Sequence, residues 1–340
     1  KYILFIMSNL KNILLKKVSC KSIWFMRQAG RYLPEFQKIR SENPDFIKLC
    51  LNSELSSEIT LQPIKRFNLD SAIIFSDILM VPYALGQNVF FNKNEGPELS
   101  DYQLNSFMNV REKEFSDKLS PVYKAIEITR KKLTKEKSLI SFIGAPWTLL
   151  VYILKMKKNK NEINLKILED NNLKLEEIFQ KLISYLCLHI KNQINAGSDV
   201  IQIFDSWAGL IPNQRIKKLC YLPNLEIVDF CRENKIPTIC FPKGIGKKYK
   251  EFNEIVKPNG INLDQYIDPL WAKNNLRDVV IQGGLSPDVF FKSDREMISE
   301  ATKYIKTFEG IPYVFNLGHG LLPETDPDKV ERLVNFYRSY

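Results

Sequence analysis

The sequence predicts a single α/β domain built as a (β/α)8 TIM barrel, and three observations carry that prediction. Short runs rich in β-branched and aromatic residues recur eight times along the 340 residues. Most are apolar throughout instead of alternating, as strands covered on both faces must be. Amphipathic stretches of helical period separate them, and neither G-x-G-x-x-G nor G-x-x-x-x-G-K-S/T occurs to mark the competing doubly wound sheet.

In chain order, strands are expected at 21–27 (KSIWFMR), 71–76 (SAIIFS), 138–144 (SLISFIG), 199–206 (DVIQIFDS), 237–244 (PTICFPKG), 259–264 (NGINLD), 279–285 (VVIQGGL) and 313–320 (YVFNLGHG). Among the helices between them, 175–197 ends on Gly197, a residue type suited to the left-handed C′ position. The stretch 295–308 has helical period, and 326–339 has Pro327 at its first helical position, where a missing N–H costs nothing. Residues 87–137 exceed an ordinary crossover and read as an elaborated loop plus helix on the same domain. No linker or internal repeat marks a second domain. Residues 21–340 therefore read as the barrel and 1–20 as an N-terminal extension, with 1–6 upstream of a start at Met7.

Composition narrows the class. Hydrophobic residues make up 44% and charged residues 26%, ordinary for a chain that buries a sizeable core. The net charge of +10 attracts polyanions: nucleic acid, an anionic membrane surface or an acidic small molecule. Lysine runs such as RKKLTKEK (130–137) and KMKKNKNE (155–162) lack interleaved aromatics and read as solvated surface. The cysteines at 20, 50, 187, 220, 231 and 240 form no C-x-x-C pair, which suits reduced thiols in a cytoplasmic protein. No apolar run approaches the roughly 20 residues of a membrane span.

Unusual polar residues fall where barrel enzymes build their sites, at the C-terminal ends of strands. Arg27 ends the first strand and Arg31 follows it. Asp77 ends the second, Tyr152 lies one helical turn beyond the third, Phe204 and Ser206 end the fourth, and His319 sits between two glycines after the eighth. Each has a plainer use. The arginines could pair with Asp77 or Glu35, Asp77 could cap a helix, Tyr152 could be a core aromatic and Ser206 a turn residue. His189, in the middle of a helix, reads as a packing residue. Together, however, two guanidinium forks suit a ligand with several carboxylates, each charge-assisted contact contributing roughly 1.5–3 kcal/mol. A carboxylate in the same place demands that the ligand's centre offer N–H groups or develop positive charge. Neither H-E-x-x-H nor a Cys/His cluster at ligand spacing supports a metal.

At these residues the chain resembles the uroporphyrinogen decarboxylase family of the tetrapyrrole pathway. The long, specific motif WFMRQAGRYLPEF (24–36) is followed in family order by FSDIL, GAPWTLLVYIL (144–154), FDSWAG (204–209), FPKG (241–244) and NLGHGLLPETDP (316–327). The likeness runs from about residue 21 to 340. It implies a barrel that pairs into a homodimer and decarboxylates the acetate arms of uroporphyrinogen III without metal or organic cofactor. It also implies that Arg27 and Arg31 bind peripheral carboxylates, with Gln28, Ala29 and Gly30 allowing close backbone approach. Asp77 would accept hydrogen bonds from the pyrrole N–H groups. Tyr152, Ser206 and His319 would hydrogen-bond the acid arms or ring, while Phe204 and Phe46 line the pocket; Asp77, Arg27, Arg31 and Tyr152 are the catalytic set.

Two stretches depart from the family pattern. QGGLSP (282–287) places Gly284 and Ser286 where Asn and Asp are frequent, and NLDQYID (262–268) lacks a frequent Trp after Leu-Asp. Both touch loop packing and not the residues above. Two other classes compete. Cobalamin-linked methyltransferases share the barrel but need a His/Cys zinc set, whereas Cys240 has no neighbouring His in sequence. A nucleic-acid-binding protein would interleave aromatic and basic residues on one surface, which is not seen.

Overall fold

Seven of the eight apolar runs form parallel strands: β1 (Ser71–Ile73), β2 (Ser138–Gly144), β3 (Val200–Asp205), β4 (Thr238–Pro242), β5 (Gly260–Leu263), β6 (Val280–Gly283) and β7 (Tyr313–Val314). They hydrogen-bond in chain order to make one curled sheet. The register is continuous, with Ile140 opposite Val200, Ile203 opposite Cys240, Ile239 opposite Gly260 and Gln282 opposite Val314. The computed structural model describes residues 9–92, 96–101, 103–159, 161–169 and 174–340. The stretch 1–6 and Met7 lie outside them.

The run at 21–27 differs from its prediction. It makes a single bridge, Ile23 to Phe315, and is not a regular strand. It nevertheless joins the two edges of the sheet. Trp24 N–H donates to the Phe315 carbonyl (3.3 Å) and Phe315 N–H to that of Ser22 (2.9 Å) on the β7 side; Asp70 N–H donates to the Ile23 carbonyl (3.0 Å) beside β1. The Asp70 side chain returns the contact by accepting from Ile23 N–H at 2.8 Å. The ring is thus closed, with one member replaced by an irregular segment.

Side-chain parity divides the core into two layers. Ile73, Ile140, Val200, Ile239, Phe241, Val280 and Val314 point into the lumen with Trp24 and Met26, and the helix Leu10–Lys16 inserts Leu10, Ile13 and Leu14 among them from below. The N-terminal extension therefore plugs the barrel. One step higher lies a polar layer: Trp24 Nε1 donates to Gln282 Oε1 (3.0 Å), and Gln282 Nε2 donates to Asn262 Oδ1 (2.8 Å) and Gln202 Oε1 (3.2 Å). The outward faces of the strands pack against the helices in a larger apolar cluster.

The helices follow their sequence signals. Leu175–Asn195 is followed by Gly197 at φ +111°, and Asp294–Thr307 begins with a Ser293–Glu296 capping box. Pro327–Ser339 starts on its proline behind an Asp326 cap. The long insertion after β1 contains a two-stranded ribbon (Val89–Asn92 with Gly96–Leu99) and the helix Glu112–Lys132. Within the lysine run, Lys157–Asn159 pairs with Glu162–Ile163 in another ribbon, with Lys158 paired to Glu162 at 2.6 Å on the surface. His189 is buried with both ring nitrogens bonded, to Tyr123 and Gln193, in the packing role its position suggested.

Both departures from the family pattern have local uses. Gly284 has φ +96°, and its carbonyl accepts from the Tyr304 hydroxyl (2.8 Å). Ser286 caps the short helical turn Pro287–Phe291. In the other stretch, Tyr266 is turned to solvent and its N–H donates to Asp264 Oδ1 (3.0 Å).

If the first helix is part of the core, Leu14→Ala should lower the unfolding free energy by about 2–5 kcal/mol in urea titration. Leu15→Ala, at a position 48% exposed, should change it by no more than about 0.5 kcal/mol.

Candidate active site

The residues expected to do chemistry come from different strands but share the C-terminal rim. Arg27 follows the closing segment directly, in a left-handed conformation (φ 60°) that is uncommon for a residue with a side chain. Two contacts hold it there. Leu321 N–H donates to the Met26 carbonyl at 2.9 Å, tying the loop after β7 to the closing segment. Gly320 then lies flat beneath the Arg27 side chain: a Cβ there would stand 2.3 Å from Arg27 Cδ. Arg27 is open to the mouth, yet protein surrounds it on the other sides, and this loss of water lowers its pKa. Asp77 and Tyr152 raise it and Arg31 lowers it further.

Neither Arg27 nor Arg31 makes an ion pair with any described residue. Glu35, the candidate scaffold partner, pairs instead with Arg66 at 3.3 Å. The scaffold salt-bridge use of the two arginines is therefore excluded for Glu35, and both guanidiniums remain available to a ligand.

Asp77 lies in the turn between β1 and the short helix Met80–Ala84. Its Oδ1 accepts from Leu79 N–H at 2.8 Å, so the capping use is real but occupies one oxygen only. Burial pushes its pKa up to about 6, opposed by the Leu79 hydrogen bond and by Arg27. At neutral pH it is a carboxylate held in poor solvent, stabilised by one amide and one nearby cation.

Tyr152 projects from the helix Pro146–Ile153, half-buried and edge-on to Trp207 with ring centroids 6.1 Å apart. Burial raises its pKa. The Trp207 indole, whose N–H completes no hydrogen bond, leans toward its oxygen and opposes that rise; Asp77 and Arg27 act on it from across the mouth. Trp207 is itself locked, since Thr148 Oγ1 accepts from its backbone N–H (3.2 Å) and donates to the buried Asp205 (2.7 Å). Phe204 stacks edgewise on Phe142 and Phe241 at 5.7 and 6.5 Å, an aromatic floor above the polar layer. Ser206 is exposed on the rim two residues further on.

His319 bonds weakly to the Gly320 carbonyl (3.3 Å). Burial, then Arg27 and Lys243, push its pKa down to about 4, so at neutral pH the ring is uncharged and carries one donor and one acceptor. Arg27, Arg31, Asp77, Tyr152 and His319 are thus electrostatically coupled around one mouth.

The remaining expected residues sit elsewhere. Gln28 is fully buried, its side chain accepting from Phe25 N–H (3.1 Å) and donating to the Ser71 carbonyl (3.0 Å); it braces the closing segment against β1. Ala29 and Gly30 form the half-buried turn between the arginines. Phe46 packs on Phe75 at 5.8 Å, behind the chain that leads to Asp77. Sequence reasoning passed over Lys243, which follows β4 directly and is electrostatically coupled to Arg27 and His319 across the mouth. The signal was present as a lysine closing the apolar run Ile239–Pro242.

The arrangement offers cations at the periphery, one carboxylate inward and an aromatic floor. Among the described residues, no group of three His, Cys, Asp or Glu side chains is placed to hold a metal ion. Cys240, which a zinc-thiolate mechanism would use, is buried in the layer outside the lumen.

Comparison with known proteins agrees with the geometry. The uroporphyrinogen decarboxylase (URO-D) family profile matches residues 9–340. The chain is 39% identical to the uroporphyrinogen decarboxylase of Rickettsia bellii and 42% identical to that of Orientia tsutsugamushi strain Ikeda, covering 94% of this chain and 94% of each relative. Among solved structures, a methyltransferase from Methanosarcina mazei superposes with a TM-score of 0.76 over 97% of this chain and 98% of its own, at 15% identity, a likeness of fold.

Desolvation of Asp77 has a cost that stability measurements should reveal. A carboxyl whose folded pKa is raised binds its proton more tightly folded than unfolded, so its contribution declines as pH rises from about 4 to about 6. Asp77→Asn, which keeps the Leu79 acceptor, should raise the thermal midpoint by roughly 1–3 °C at pH 7.5 and leave it unchanged at pH 4.

Proposed function

The chain belongs to the uroporphyrinogen decarboxylase family, and from that premise we propose how its site works, with Asp77 beneath the macrocycle and the two arginines at its acidic edge. The enzyme is a carboxy-lyase that removes the four acetate carboxyls of uroporphyrinogen III, giving coproporphyrinogen III and carbon dioxide in heme biosynthesis.

The observation that carries the reading is the pairing of a partly desolvated carboxylate with unpaired guanidiniums on one rim. The inward-pointing pyrrole N–H groups donate to the free oxygen of Asp77. Arg27 and Arg31 grip acetate or propionate arms, and Gly320 lets Arg27 lie low enough to reach them. Protonation of a pyrrole carbon beside an acetate arm makes the ring cationic. The bond to the carboxyl then breaks, carbon dioxide leaves, and the electron pair flows into the ring. A second proton converts the resulting exocyclic carbon to methyl, and the ring carbon then gives up the first proton to restore the neutral pyrrole, so that one proton is consumed for each carbon dioxide released.

Asp77 is placed to favour the cation. It is already fixed and already poorly hydrated, so no solvent must reorganise as positive charge develops above it. Its pKa of about 6 leaves it ionised at neutral pH. Tyr152 and neutral His319 supply hydrogen bonds to the arms or ring, and the Phe204 floor excludes water. Ser206 completes the rim; Ala29 and Gly30 carry the turn between the two arginines, and Phe46 supports the wall from behind through Phe75. The reaction in this reading uses protein groups alone.

The protein pairs into a homodimer in this reading. Large apolar side chains turned outward on the segments after β5 and β6, namely Tyr266, Leu270 and Phe291, support such a contact. A cytoplasmic location suits six free cysteines. Among the described residues no helix is long and apolar enough to cross a membrane. Nucleic acid is not a partner: the mouth's cations are assigned to carboxylates, and lysines such as Lys155 and Lys158 pair with surface acids.

Anaerobic incubation with reduced uroporphyrinogen III, with carboxyl number read by chromatography, should show conversion to the four-carboxyl product. Asp77→Asn should lose at least about 100-fold in kcat while remaining folded; near-normal product formation would defeat the assignment. Arg31→Lys should lower kcat/KM by about tenfold or more although the charge is kept, because a lysine cannot present the bidentate fork. Unchanged kinetics would argue against that mode of grip.

A further inference from the structure

Lys243, in the FPKG stretch (241–244), is a cation at the mouth to which the mechanism above gives no role. The order of strands around the ring puts the end of β4 four positions from the closing segment in either direction, on the far side of the mouth from Arg27. Parity agrees, since Ile239 and Phe241 of β4 both face the lumen and Lys243 is next in that series.

Its backbone is held from both sides. Lys243 N–H donates to the Asp205 carbonyl (3.1 Å), and the Lys243 carbonyl accepts from Gly209 N–H (2.9 Å). Gly209 and Gly244 touch through their backbones, a Cβ on Gly209 standing 2.7 Å from the Gly244 carbonyl carbon. The side chain, half-buried, makes no hydrogen bond or ion pair with any described residue. Its nearest acid is already committed: Asp264 Oδ2 accepts from Gly244 N–H (2.9 Å) and the Tyr249 hydroxyl (3.3 Å), and Oδ1 from Tyr266 N–H. Burial and then Arg27 lower the Lys243 pKa, while Asp264 raises it. A lysine with fixed backbone, reduced hydration and no ion-pair contact among the described residues stands ready for an anion.

We propose that Lys243 is a third substrate anchor, pairing with a peripheral carboxylate of the macrocycle on the side of the mouth opposite Arg27 and Arg31. This rests on the decarboxylase reading and deepens it. A ring gripped along one edge can tilt away from Asp77; a cation at the opposite edge keeps its nitrogens level over the carboxylate. Lys243 is accordingly a binding and positioning residue, with its main effect on KM.

Anaerobic kinetics of Lys243→Met and Lys243→Arg with uroporphyrinogen III test the assignment. The methionine variant keeps the length and apolar stem and should raise KM about tenfold or more, with kcat falling less and the thermal midpoint unchanged. The arginine variant should recover most of the lost affinity. A methionine variant with KM within twofold of the unaltered protein overturns the proposal, as does one that melts well below it, since the lysine is then structural. Turnover by the unaltered protein tests the decarboxylase reading, and the variant-to-wild-type KM ratio tests Lys243 alone; absent turnover in the unaltered protein overturns both.

Discussion

The closing of the ring by residues 22–26 is the constraint on which the rest of the molecule depends. That segment is too irregular to count as a strand, yet its hydrogen bonds to Phe315 on one side and Asp70 on the other join the sheet's two edges. Gln28 reinforces the junction by spending its amide on Phe25 and Ser71. Three residues far apart in sequence become neighbours as a result. Arg27 leaves the closing segment, Asp77 leaves the strand next to it, and His319 leaves the strand on its other side.

A motif that looks like a ligand-binding signature therefore has two jobs. In the stretch between Arg27 and Arg31, Gln28 belongs to the scaffold and the arginines to the mouth. The left-handed φ of Arg27 is where the two jobs meet, because the chain must turn sharply there to stay in the ring while sending its side chain over the rim. Strain of this kind persists only where the surroundings over-determine it, here through the Leu321–Met26 hydrogen bond and the absence of a side chain on Gly320.

The electrostatics of the mouth are arranged against stability and in favour of charge. Asp77 is under-hydrated, Arg27 and Lys243 are under-hydrated and make no ion pair with any described residue, and His319 is held neutral by burial and then by the cations around it. Each departs from what folding alone would choose. The offset lies below, in a dry lumen of branched aliphatic side chains sealed by the Leu10–Lys16 helix and topped by the Gln202–Asn262–Gln282 layer. A rigid base makes an unfavourable rim tolerable.

Much of this was legible in the sequence because it is written locally. Apolar runs of strand length, a helical period at 295–308, a proline at 327 and a glycine at 197 report on backbone choices made within a few residues; the three helices formed within two residues of expectation, whereas the strands expected at 71–76 and 313–320 stop at Ile73 and Val314 and 21–27 makes only a bridge. The placement of Arg27, Asp77, Tyr152 and His319 at strand ends was legible for the same reason, since barrel topology sends every such end to one rim. Tertiary structure alone decided which polar groups were already satisfied. Nothing in the sequence says that Glu35 is taken by Arg66, that Gln28 is consumed by the scaffold, that Asp264 is saturated by Gly244, Tyr249 and Tyr266, or that Lys243 is left over. Hydrogen-bond and charge satisfaction is a property of neighbours brought together from tens to hundreds of residues away, and no local pattern encodes who those neighbours are.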